Sequence, residues 1–174
     1  MRTFSGIKQL DAESKQSPTD GSGKFVAIVS TYGPPPDVQG DIISPGAYRT
    51  TIADASVRHP GALWPVYWMH DYKDPENAIG VITAAAETSR GLAVEGRLNV
   101  HGNDRAMAVY KAMLEDAIRE WSIGFGVESH KGLWTDPETG DTLEVQYLDE
   151  LELLEISSVM AGSNRFTETV SVKG

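Results

Sequence analysis

Three stretches of the sequence hold side chains whose types and spacing suit acid–base or nucleophilic chemistry. The first, LWPVYWMHD (63–71), sets His70 at the end of the most aromatic run in the chain. An apolar wall favours the neutral imidazole that a general base needs. The second, EWSIGFG (120–126), places Ser122 just ahead of Gly124 and Gly126. A nucleophilic serine needs an exposed hydroxyl, a base within hydrogen-bond reach and donors for an oxyanion; glycines let backbone approach a substrate closely. The third, LDELELLEISSVM (148–160), sets carboxylates in a β-type run. Strict alternation puts Glu155 on one face with Leu151, Leu153, Ser157 and Val159, and Glu152 on the other with Leu154, Ile156 and Ser158. A carboxylate among apolar neighbours needs a partner, and a histidine whose second nitrogen must be oriented is a suitable one.

Each stretch also has a plain structural reading. A lone histidine is commonly structural, a small-residue corner can serve sterics alone, and acidic side chains on a strand guard an edge against aggregation. The last account covers Glu150 and Glu152 better than Glu155. Among the other histidines, His59 precedes Pro60 in a polar loop, His101 lies in the turn NVHGND, and His130 has no distinctive surroundings. Asp71 is disfavoured as a partner for His70, because adjacent strand residues point to opposite faces. Asp37 and Asp41 flank a Gly/Pro-rich loop and with His70 and Asp71 could offer oxygen and nitrogen metal ligands, but no dense motif such as H-E-x-x-H is present, so neither metal nor cofactor is expected.

The elements that must position these groups are mostly strands. FVAIVSTYG (25–33) is an apolar β-rich run; LWPVYWMH (63–70) is a strand with Pro65 at its start or on an edge; 79–99 forms two strands joined at SRG. Between them, Pro45 starts a short helix over 46–54. Leu92, Val94, Gly96 and Leu98 alternate with Ala93, Glu95 and Arg97, the half-buried pattern of an antiparallel sheet. Met107, Tyr110, Leu114, Ala117 and Trp121 recur at helical spacing over 103–121, with Asn103 or Asp104 as cap. A strand over 122–134 turns at TDPETGD (135–141) into 142–160, expected as two strands with a break near Asp149. The expected fold is therefore mainly β with flanking helices (α+β), a closed or nearly closed barrel of about seven strands. The expected organisation is a polar, flexible segment at 1–24, a single domain over 25–165, and a tail at 166–174.

Composition narrows the function classes. With no cysteine, disulfides, thiolate metal sites and cysteine nucleophiles are excluded. The 25 acidic residues against 15 basic ones, with no Lys/Arg cluster, argue against nucleic acid as a partner. No apolar run approaches the ~20 residues of a membrane helix, and the N-terminus lacks the apolar core of a signal peptide, so a soluble, unexported protein is expected.

Taken in order, the motifs resemble the prohead (capsid maturation) proteases of tailed bacteriophages. The resemblance spans about 25–165 and runs through DVQGDIISPGAY (37–48), WPVYWMHD (64–71), IG (79–80), RGLAVEGRL (90–98), SIGF (122–125) and LLEISSVMAGSN (153–164). The sequence departs from the family at AGSN (161–164), where Pro-Ala-Asn is usual. The resemblance implies a serine endopeptidase with a fold related to the herpesvirus assemblin proteases. Ser122 would be the nucleophile, His70 the base and Glu155 the third member, with backbone N–H groups near Gly124 or the Arg165 guanidinium facing the oxyanion. It also implies the scaffolding protein and the scaffold region of the major capsid protein as substrates, self-cleavage, and action inside the immature procapsid in the host bacterial cytoplasm; a homo-oligomer is compatible with it. A non-catalytic capsid assembly module with the same fold is the alternative.

Overall fold

Alternating apolar residues build most of the architecture in the computed structural model, which describes residues 22–173. The strands are β1 (Lys24–Thr31), β2 (Asp41–Ile43), β3 (Trp64–Trp68), β4 (Ala78–Glu87), β5 (Gly91–Leu98), β6 (Glu120–Thr135), β7 (Thr142–Val159) and β8 (Glu168–Lys173); the helices are α1 (Arg49–Arg58) and α2 (Asp104–Leu114). One sheet runs β6–β7–β3–β4–β5–β1–β8, with β2 laid parallel beside the first part of β7. Leu92, Val94 and Leu98 face the core as their alternation predicts, and Gly96 leaves room there for the Phe25 ring, whose atoms would meet a Cβ at 2.3 Å. Phe25 in turn stacks on Trp121 with ring centroids 4.8 Å apart. That stack fixes the start of β6, one residue before Ser122, on the core.

The barrel is not closed. Among the described residues no ladder joins β8 to β6; the two ends approach where Thr169 N donates to the Arg119 carbonyl at 3.1 Å and Trp121 Nε1 donates to Thr169 Oγ1 at 3.0 Å. The sheet is a curled half-barrel of eight strands rather than the closed or nearly closed barrel of about seven that the run of predicted strands suggested. Most of the tail expected at 166–174 is strand, since Glu168–Lys173 form β8, which pairs antiparallel with β1. The flexible segment expected at 1–24 lies outside the described residues except for its last three, and β1 already begins at Lys24.

β7 carries the site, and its irregularities matter. It is one strand of 18 residues, not two. The pairing with β6 skips one residue of β7 at Asp149 and another at Leu154, so each is the extra residue of a β-bulge. Between β2, which covers Gln146–Leu148, and β3, which covers Ile156–Ser158, one edge of β7 lacks a strand neighbour. The backbone donors there are met from the α1 region: Leu151 N by the Ala47 carbonyl and Leu153 N by Thr51 Oγ1, both at 3.0 Å. Buried donors are thus satisfied without a strand, and α1 is tied against the bulge.

The helix predicted over 103–121 stops at Leu114. Asn103 caps its start by accepting from Ala106 N at 2.8 Å. At its end Asp116 N donates to the Met113 carbonyl and Ala117 N to the Ala112 carbonyl, with Asp116 at φ 59°. This is a Schellman cap with aspartate in the left-handed position that glycine ordinarily fills.

Candidate active site

His70 is placed by a turn that closes directly after β3. Asp71 N donates to the Trp68 carbonyl at 3.1 Å, and both central residues, Met69 and His70, lie at φ 57°. Two successive positive φ angles are the signature of a mirror-image type I′ turn, which glycine and asparagine normally supply. Here the turn is held by tertiary contacts instead: Met69 N donates to the Ser158 carbonyl at 3.1 Å and His70 N to Ser157 Oγ at 3.2 Å. Non-glycine residues in this region are costly and persist where surroundings over-determine them, commonly at functional sites.

The turn lays the imidazole over β7. His70 Nδ1 meets Glu155 Oε1 at 2.6 Å, with Glu155 2% exposed and the His70 side chain 36% exposed. The same carboxylate accepts from Ser157 Oγ at 2.7 Å through Oε2 and from the Tyr72 hydroxyl at 3.3 Å through Oε1. Because both hydroxyls donate, the carboxylate is acceptor throughout, and the proton of the His70–Glu155 bond belongs on Nδ1. A neutral imidazole then presents Nε2 with its lone pair free, the form a general base requires. Partial burial, then the charge and hydrogen bond of Glu155, hold the Tyr72 phenol above its ordinary pKa, so it stays a donor.

Ser122 enters from the neighbouring strand. It lies in β6, not at a helix–strand corner, and pairs with Ser157 across the ladder. Directly opposed side chains on antiparallel strands stand about 4.5–5.5 Å apart at Cβ. Ser122 thus shares a face with Ser157 and, two residues along, with Glu155, whose partner across the ladder is Gly124. Its hydroxyl is half-buried and makes no hydrogen bond among the described residues.

The bulge at Leu154 corrects the face assignment that strict alternation gave. Glu155 pairs with Gly124, Glu152 with Gly126, and Leu153 with Phe125. Glu152 therefore lies on the Glu155 face, while Leu153 and Leu151 turn with Ile156 into the apolar core. Gly124 also has a reason the sequence did not suggest. A Cβ there would stand 2.5 Å from Glu155 Oε1, so the glycine makes room for the carboxylate. A groove of about 740 Å³ begins two residues further along β6, at Gly126, and runs between α1 and the bulged part of β7 past Thr51, Glu152 and Leu154.

The remaining candidates lie elsewhere. His59 ends α1, its N–H bonded to the Ala55 carbonyl, and His101 sits in an exposed turn. His130 is not featureless: it is hydrogen-bonded to Asp149 and stacks on Tyr147, on the hairpin arm of β6 and β7. Asp37 precedes a turn that leads into Asp41, the first residue of β2, and the Asp37 carboxylate accepts from Gln39 N and Asp41 N. The two aspartates line a smaller hollow with Arg165 that includes none of His70, Ser122 and Glu155. Among the described residues no cluster of three or more histidines and carboxylates is arranged to hold a metal ion. Sequence reasoning missed Ser157 and Tyr72 as partners of Glu155. Ser157 had a signal, the i, i+2 spacing from Glu155 in EIS; Tyr72, reaching back from beyond a turn, had none.

Comparison with known proteins bears on the family and the fold. The prohead protease of Enterobacteria phage HK97 is 28% identical over 124 residues, covering 70% of this chain and 51% of its own length, so the chain spans about half of that curated relative. Among solved structures, the capsid assembly protease gp21 of bacteriophage T4 superposes with a TM-score of 0.53 at 13% identity, over 83% of this chain and 87% of that one, a likeness of fold. The family model of the caudovirus prohead serine proteases matches residues 9–173, and the chain belongs to that family.

Proposed function

We propose that the protein is a capsid maturation endopeptidase in which Ser122 is the nucleophile, His70 the general base and Glu155 the residue that orients the base. The observation that carries this is the 2.6 Å bond from His70 Nδ1 to buried Glu155, formed beside a serine pair that links β6 to β7. His70 Nε2 takes the Ser122 hydroxyl proton as Oγ attacks the peptide carbonyl carbon. The same proton then passes to the leaving amine as the C–N bond breaks, giving an acyl-enzyme. Water, deprotonated by the same nitrogen, releases the new carboxylate and restores the serine. Glu155 holds the Nδ1 proton and stabilises the imidazolium formed in each half-reaction. Backbone N–H groups following Ser122 are the oxyanion donors in this scheme.

The substrates are the scaffolding protein and the scaffold region of the major capsid protein, with cleavage of the protease's own exposed segments, inside the immature procapsid in the host bacterial cytoplasm. The groove of about 740 Å³ beginning at Gly126 is lined by none of His70, Ser122 and Glu155 but starts two residues beyond Gly124 on β6, and it is the channel this reading assigns to a substrate segment. Kinship of the curled half-barrel with the herpesvirus assemblin proteases belongs to the same proposal.

Co-expression with the capsid precursor is the test. Ser122→Ala is expected to reduce cleavage by at least about 10³-fold while the denaturation midpoint stays near wild type. Cleavage at the wild-type rate by Ser122→Ala sinks the assignment. Normal assembly with both Ser122 and His70 replaced by alanine, and no cleavage by the wild type, would instead favour an assembly module.

A further inference from the structure

We infer that Ser157 is a positioning residue for the catalytic base, one hydroxyl that fixes both the backbone of His70 and the carboxylate that orients its ring. The inference rests on the protease assignment above. Ser157 has one proton to give and lone pairs to share, and both capacities are used on the site. It donates to Glu155 Oε2 at 2.7 Å and accepts from His70 N at 3.2 Å. The first bond fixes the carboxylate rotamer so that the other oxygen, Oε1, faces His70 Nδ1. The second fastens a residue held at φ 57°, a left-handed conformation that few non-glycine residues adopt.

Its place in the sheet makes this role specific. Ser157 pairs with Tyr67 of β3 on one side and with Ser122 of β6 on the other, so it is the rung between the strand that delivers the base and the strand that delivers the nucleophile. It is fully buried, so it cannot itself meet a substrate. A hydroxyl enclosed at 0% exposure is costly unless paired, and here both pairings are to the site rather than to the scaffold. The adjacent Ser158 shows the contrast: it is as buried, yet its hydroxyl has no partner.

Removing the Ser157 hydroxyl has two separable consequences. The carboxylate loses a donor, becomes more basic and holds the imidazolium more tightly, so His70 gives up its proton at higher pH. The turn loses an anchor, so the ring samples geometries away from Ser122. The titratable groups bonded into this cluster are Glu155 from β7, which His70 Nδ1 meets directly, and Tyr72, which reaches the same carboxylate; Asp71 is next to His70 in the chain, and on β6 Ser122 and Gly124 oppose Ser157 and Glu155.

The experiment compares Ser157→Ala, Ser157→Cys and Ser157→Thr with wild type and with Ser122→Ala. Cysteine nearly preserves volume but is a weak donor, whereas threonine keeps the hydroxyl. We expect Ser157→Ala and Ser157→Cys to lose on the order of 10²-fold in kcat with KM little changed, the acid limb of the kcat/KM profile moving to higher pH, and Ser157→Thr to recover most of the rate. NMR titration of His70 in a Ser122→Ala background gives the same comparison without turnover, a raised imidazole pKa in Ser157→Cys being expected. A Ser157→Cys enzyme with wild-type kcat and an unmoved profile overturns the positioning role and leaves the protease assignment standing. Wild-type cleavage by Ser122→Ala overturns the assignment itself.

Discussion

The site depends on a glycine for a reason opposite to the usual one. Gly124 follows the candidate nucleophile by two residues, which suggests backbone kept bare for a substrate. The structure gives the space to Glu155 instead, whose Oε1 lies 2.5 Å from where a Cβ would sit and whose Cγ lies 3.0 Å away. A buried carboxylate with three hydrogen bonds cannot give way cheaply. Gly124→Ala is therefore expected to cost on the order of 10²-fold in kcat by displacing Glu155 from His70, with a smaller loss of stability. Steady-state cleavage together with the His70 titration checks this, and an alanine enzyme with unchanged kcat would show that the carboxylate position is immaterial. His70 and Glu155 could be singled out from the sequence because their neighbourhoods were chemically odd: an imidazole ending an aromatic run, and an acid among leucines and isoleucine. Ser157 carried only the i, i+2 spacing from Glu155, a weak mark, since a serine in a strand looks the same whether it bonds a carboxylate or nothing; Tyr72 carried none.

Elements were legible where periodicity ran unbroken and illegible where a backbone irregularity shifted it. β5 follows its alternation; β4, whose buried Ile79, Ile82 and Ala85 fall every third residue across two register shifts, does not, and α2 and β7 do not follow theirs to the end. Nothing between Leu114 and Arg119 is glycine or proline, so the left-handed cap at Asp116 left no compositional mark, and helical spacing ran on to Trp121. On β7 the bulge at Leu154 reverses which residues share the Glu155 face, and a bulge of this kind is set by the partner strand and by α1, not by local propensity. The bulge lets one strand turn Leu151 and Leu153 inward and then aim Glu155 and Ser157 at the site. Two changes at the same position separate the side chain from the inserted residue. Leu154→Ala, at a side chain 59% exposed, is expected to change stability by no more than about 0.5 kcal/mol. Deleting Leu154 takes out the extra residue of the bulge and leaves Glu155 opposite Gly124 and Leu153 opposite Phe125, so the faces are kept while the local bend is lost; it is expected to move Glu155 relative to His70 and lower kcat more than Leu154→Ala does. Denaturant unfolding and cleavage assays on both variants test this, and a deletion with wild-type kcat would show that the bend in β7 is immaterial to the site.

At the scale of the molecule, the half-barrel makes the site depend on a strand far from it. A sheet with open ends leaves its terminal strands to be secured by contacts other than a ladder, and here those contacts converge on Trp121. Trp121 is fully buried, stacks on Phe25 of β1, donates through Nε1 to Thr169 Oγ1, and donates from its backbone N–H to Thr167 Oγ1 at 3.0 Å. The next residue is Ser122. Thus β8, expected from sequence to lie in a loose tail, hydrogen-bonds the edge of β1 and anchors the first residues of β6. Removing residues 168–174 deletes Thr169 and exposes the β1 edge, while leaving His70, Ser122, Ser157 and Glu155 in the chain. Such a truncation is expected to lower the melting temperature by about 2–4 °C for each kcal/mol lost, and to reduce kcat as the start of β6 loosens. Thr169→Val, which keeps the strand but removes the acceptor for Trp121, should reproduce the loss of rate with less loss of stability. A truncated chain with wild-type melting temperature and wild-type kcat would mean that β8 is an ornament on the sheet, and that β6 holds its place through β7 alone.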